Sequence, residues 1–93
     1  MQQITLQDII TKKLNMLSDE PDSLICDAYY QAQEADNREA RVRAYIATEV
    51  AIRASKAIGT QVPNLEEEAI RIKRELSMTE QEMADYYLEH LDN

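Results

Sequence analysis

Only three residues of this chain, Pro21, Gly59 and Pro63, are helix-breaking types, and that scarcity constrains the fold more than any other feature. A chain of this length with average usage would carry about eleven. Tight β-hairpins draw on Gly, Asn-Gly or Asp-Gly turns, and neither dipeptide occurs. An all-β fold is excluded, and long helices joined by few turns are expected.

The apolar residues recur at helical spacing. Thr5 reads as an N-cap with Asp8 at N3, and Ile4 and Ile9 stand at hydrophobic-staple positions. Leu6, Ile9, Ile10, Leu14 and Leu17 then mark one face of a first helix. The stretch Ser18 to Asp22 ends it, and Pro21 suits the opening of the next. A second helix is predicted over about residues 22–35, with Leu24, Ile25, Ala28, Ala32 and Ala35 inward and Tyr29 at the edge of that stripe. At Asp36-Asn37-Arg38-Glu39 the stripe lapses. A capping box there favours a break, although Glu34 and Arg38 are spaced to pair in one continuous helix.

The third helix, over about residues 37–58, carries the most informative pattern. Ala40, Ala44, Ala47, Ala51, Ala54 and Ile58 are spaced alternately by four and three, a heptad seam made mostly of alanine. Such a seam lets helix axes approach to about 8 Å, either against a second copy of the chain or against another helix of the same chain. Val42, Ile46 and Val50 add a second apolar row, so this helix is expected at the centre. Gly59 ends it. Asn64 reads as the cap of a fourth helix with Glu67 at N3, whose face is Leu65, Ala69, Ile72 and Leu76 with Ile70 beside it. Glu66 to Glu68 sit in its first turn, where the helix dipole favours acid. Thr79 with Glu82 forms another capping box, with Met78 and Met83 as its staple; Met83, Tyr87, Leu88 and Leu91 face inward from a fifth helix. The expected fold is all-α: a single domain, residues 1–93, of four to five helices around the Ala-rich one.

Chemistry-bearing motifs are scarce. The chain has one Cys, one His and no Gly-rich loop. A lone cysteine closes no internal disulfide, and Cys26, beside Ile25, reads as a small core residue. His90 reads as a solvent-facing residue near a helix C-terminus. No Glu-x-x-His pair occurs, so no catalytic residue, metal ligand or cofactor is assigned. No apolar run approaches the roughly 18 residues of a membrane span, and the first residues lack the basic and apolar regions of a signal peptide. The expectation is a soluble, cytoplasmic chain.

Charge narrows the partners. Ten Lys and Arg stand against 18 Asp and Glu, a formal net charge of −8, which disfavours direct nucleic-acid binding. Leu76 to Ala84 faintly resembles the first helix of a helix-turn-helix, but no recognition helix follows it in the chain. Residues 18–36 hold six acids and no base. The bases of the third helix are expected to pair with the acids of the second and fifth. At about 100° per residue, Tyr30 falls away from the apolar stripe among Asp27, Gln31 and Glu34, and Tyr86 falls among Glu82, Asp85 and Glu89. Tyr is enriched at interfaces, so Asp27, Tyr30, Glu34, Glu82, Asp85, Tyr86 and Glu89 are the candidate partner-binding residues. They fit a non-enzymatic inhibitor or adaptor that docks an acidic face on a basic protein, of the immunity, antitoxin or phage anti-defence kind. Two other readings are a homodimeric assembly subunit built on the alanine seam, and a partial DNA mimic whose carboxylates stand in for phosphates.

Overall fold

A computed structural model describes residues 3–17 and 20–92, apart from the side chain of Pro21. Ser18 and Asp19, part of the turn expected after the first helix, lie outside the described residues, as do Met1, Gln2 and Asn93. The elements are α1 (Leu6–Asn15), α2 (Pro21–Glu34), α3 (Arg38–Ala57), α4 (Pro63–Leu76) and α5 (Glu80–Tyr86), the last running into a π-helical turn, Tyr87–Leu91. No strand occurs among the described residues. The protein is an all-α bundle.

Local chemistry sets most helix ends. Thr5 and Thr79 form reciprocal capping boxes with Asp8 and Glu82. Each satisfies amide groups that a helix N-terminus otherwise leaves unpaired. Between α2 and α3 the chain breaks: Ala35 is extended, and the Asn37 side chain accepts the Ala40 N–H at 2.8 Å. The box expected there is not completed, because Asn37 rather than Asp36 is the cap and Ala40 stands at N3. Glu39 pairs instead with Arg43 at 3.3 Å on its own helix. Gly59 follows α3 with φ +79°, the left-handed conformation that costs glycine least. The start of α4 differs from expectation. Pro63 opens the helix, and the Val62 carbonyl accepts the N–H groups of Leu65 and Glu66, each at 3.0 Å. Asn64 therefore lies inside the first turn and caps nothing. Proline's fixed φ and missing N–H suit that opening position.

The core is built around α3. Val42, Ala44, Tyr45, Ile46, Thr48, Val50, Ala51, Ile52 and Ser55 are all buried, so the helix is covered on nearly every side. α1, α2, α4 and the π turn pack on it, α2 also packs on α4, and α5 packs on α1. From the others come Leu6, Ile9 and Ile10, Ala28 and Ala32, Leu65, Ala69, Ile72 and Leu76, and Met83, Ala84 and Leu91.

The alanine seam is divided by this packing. Ala44 and Ala51 are buried by the chain's own helices. Ala40, Ala47 and Ala54 are half-buried. Ile58 lies past the last turn of α3 and is 63% exposed.

Cys26 is exposed rather than a core residue. It lies about 160° round α2 from Ala28, whose side chain faces the core. Ile70 is likewise exposed, at 60%, while Ile72 on the same helix is fully buried. Ile72→Ala is expected to cost about 2–5 kcal/mol in denaturant unfolding. Ile70→Ala should stay within about 0.5 kcal/mol of wild type.

Candidate docking surface

Of the two tyrosine-bearing faces, only that of α2 is free of the chain's own structure. Asp22, Cys26, Tyr30 and Glu34 follow one another at four-residue intervals and are all exposed, Tyr30 at 67%. They form a ridge along the side opposite buried Ala28 and Ala32, acidic at both ends and uncharged between. Asp27 and Tyr29 flank it, also exposed. Among the described residues, none of the ion pairs uses Asp22, Asp27, Glu34 or Asp36. No base stands in the last turn of α2. Glu34 thus sits where the helix dipole disfavours negative charge, with no ion pair to offset it.

The α5 face is occupied by structure. Glu82 is committed to its capping box, and its hydrogen bonds with Thr79 hold its carboxyl below the ordinary carboxylate range. Asp85 accepts from Gln81 Nε2 at 3.0 Å, and the same amide donates to the Ile4 carbonyl at 3.2 Å. Tyr86 was expected on a solvent face. Instead it is half-buried, packs against the core and lies 4.7 Å, centroid to centroid, from His90. Packing of α5 on α1 draws this edge inward. Glu89 remains exposed. The structure therefore leaves Asp27, Tyr30 and Glu34 as one open patch and engages Glu82, Asp85 and Tyr86 elsewhere.

The bases of α3 find partners other than those expected. Arg41 reaches Glu75 at 3.4 Å and Lys56 reaches Glu66 at 3.8 Å, both on α4. α4 also supplies a clasp that sequence reasoning missed. Arg71 bonds Glu68 and, at 2.9 Å, Glu75, and donates to the Ala32 carbonyl at 3.1 Å. That carbonyl is among the last four of α2, which have no partner within the helix. Gln33 donates to the same Glu68, so side chains on α4 hold the end of α2 from which Tyr30 and Glu34 project. The Glu68 bond above all, and then that to Glu75, favours the charged Arg71 and raises its pKa against the opposing effect of burial. The only signal in the sequence was the Glu68, Arg71, Glu75 spacing, which does not reveal α2 as the recipient.

Beside the ridge lies a groove of about 730 Å³ between α2 and the start of α4. Its walls include Ile25, Cys26, Tyr29 and Tyr30 on one side and Val62 and Pro63 on the other, and no charged residue lines it. Among the described residues no group of His, Cys, Asp and Glu is arranged to hold a metal ion, and no helix is long and apolar enough to cross a membrane. No family model, no curated protein and no solved structure matches the chain.

One carboxylate stands apart from these surfaces. Glu49, half-buried on α3, has its pKa raised by burial above all; Arg53 lowers it, Glu80 raises it, and Lys56 and Lys73 lower it. Neighbouring Tyr45 is pushed up to about 12, again mainly by burial, then by Glu49 and Glu80. A carboxyl with a raised folded-state pKa binds protons more readily folded than unfolded, so its ionisation costs stability as pH rises. Glu49→Gln is therefore expected to melt higher than wild type at pH 7. The difference should close as pH falls through the raised pKa toward 4.5, the ordinary value for glutamate. Thermal melts at stepped pH check this.

The tyrosines separate in the same assay. Tyr86→Ala should lose about 1 kcal/mol or more of buried ring, while Tyr30→Ala stays within about 0.5 kcal/mol of wild type.

Proposed function

We propose that this protein is a non-enzymatic inhibitor or adaptor that uses the open face of α2 to dock on a basic surface of a larger protein. The observation that carries the reading is Tyr30, 67% exposed beside acids that have no ion-pair partner among the described residues. Tyr gives large contact area at low cost in conformational freedom. Unneutralised carboxylates around it would speed encounter with a cationic partner and repel acidic ones.

Cationic sites of this kind are common on proteins that handle nucleic acid. An immunity, antitoxin or phage anti-defence role in the cytoplasm is the setting we propose. Full DNA mimicry is less well supported, because exposed Lys12, Arg38, Arg43 and Arg74 interrupt the acidic surface. A homodimer closed along the alanine seam is also less well supported, since Ala44 and Ala51 are covered within one copy.

The test is affinity capture from lysate with the tagged protein, followed by identification of what is retained. The expected prey is basic, is released as salt is raised, and is lost with Tyr30→Ala while the bait keeps its melting temperature. Tyr86→Ala should matter only through stability. Capture that ignores both Tyr30 and salt would remove this reading.

A further inference from the structure

We propose that the groove between α2 and the start of α4 receives an amphipathic helix of the partner, apolar at its middle and basic toward both ends. The inference rests on the docking reading above and specifies its ligand.

The groove walls are mostly apolar and aromatic, Ile25, Tyr29 and Tyr30 facing Val62 and Pro63, with the uncharged amides of Gln33, Gln61 and Asn64 beside them and no charged lining residue. Ile25 to Gln33 advance about 12 Å along α2, which matches apolar side chains at i, i+4 and i+7 of a docked helix. The backbone of both walls is largely engaged in helical hydrogen bonds. The groove therefore offers side chains and no unpaired strand edge. An extended segment laid there would find scattered side-chain amides, Gln61 and Asn64, but no strand edge to pair its backbone regularly, whereas a helix satisfies its own amides internally.

Charge selects the ends. Asp22 and Glu34 close the ridge that borders the groove, about 18 Å apart along the axis, and neither forms an ion pair among the described residues. Lys or Arg near both ends of the incoming helix would meet them. A nucleic acid would be repelled. A second copy that set the same ridge against itself in a two-fold contact would oppose acid with acid.

Cys26 makes the proposal testable, because it lines the groove, is exposed, and is the only thiol in the chain. The probe is a labelled synthetic helix of about 14 residues with a leucine face and lysines toward both ends. Binding is read by fluorescence anisotropy and occupancy by the rate at which N-ethylmaleimide alkylates Cys26. Saturating peptide is expected to slow alkylation by about tenfold or more. Replacing its lysines by glutamate, or its leucines by serine, should weaken binding by at least about tenfold, and Cys26→Trp, which narrows the groove, should do the same.

Four results would overturn the proposal: no binding, binding that leaves Cys26 fully reactive, equal binding of the serine peptide, or Cys26 protected without peptide in a self-associated protein. The two readings fail separately. Loss of the groove leaves Tyr30-dependent capture intact, while capture indifferent to both Tyr30 and salt removes the docking face itself.

Discussion

The structure depends on α3 being buried nearly all the way round. A helix in that position must present apolar or small groups in several directions at once, and buried alanines, Ala44 and Ala51 on α3 with Ala28, Ala32, Ala69 and Ala84 on the other helices, make this possible without overfilling the space. Ala44 and Ala51 sit at 0% and 1% exposure, where a larger side chain would push neighbouring helices away. Of the two buried polar residues of this helix, Thr48 donates its hydroxyl to the Tyr45 carbonyl at 2.7 Å, whereas the Ser55 hydroxyl has no hydrogen-bond partner among the described residues. Because α1, α2, α4 and the π turn all rest on this one helix, the position of every surface patch is referred to it.

Charge is shared unevenly over that frame. The acids of α4 are largely spent on the chain itself, Glu66 and Glu75 on bases of α3, and Glu68 on Arg71 and Gln33. Those of α5 cap its own helix (Glu82), accept from Gln81 (Asp85) or accept from Gln7 on α1 (Glu80). Asp22, Asp27 and Glu34 of α2 form no ion pair among the described residues and, unlike Glu80, Glu82 and Asp85 of α5, take no side-chain hydrogen bond there either, and Glu34 stands at the dipole's unfavourable end. Placements that violate a local rule without internal compensation are where function is to be sought. The Arg71 clasp fits this division: it steadies α2 from behind and leaves the outward ridge untouched.

Much of the fold was legible because its signals are local. Thr5, Asn37, Gly59 and Thr79 stand at helix boundaries that depend on a few neighbouring residues. The same local reasoning failed at Asn64, where two helix-start signals lie side by side and Pro63 takes the opening position. Cys26 was misread because adjacency to Ile25 was weighed above angular position. The ridge Asp22, Cys26, Tyr30, Glu34 was present in the sequence as a plain four-residue recurrence. Its opposite wall, Val62 and Pro63, was not, since no spacing rule joins residue 26 to residue 62.

By itself, then, the sequence determined that this chain is helical, where most helices begin and end, which faces turn inward, and that α2 is acidic. These follow from propensity, capping and periodicity, all of which act over a few residues. Only the tertiary structure decided that Tyr86 is drawn against the core while Tyr30 stays in solvent, that α4 takes Arg41 and Lys56 of α3, and that a groove opens beside Cys26. Each depends on which helix lies against which, and packing brings together side chains dozens of residues apart whose relation no local pattern records.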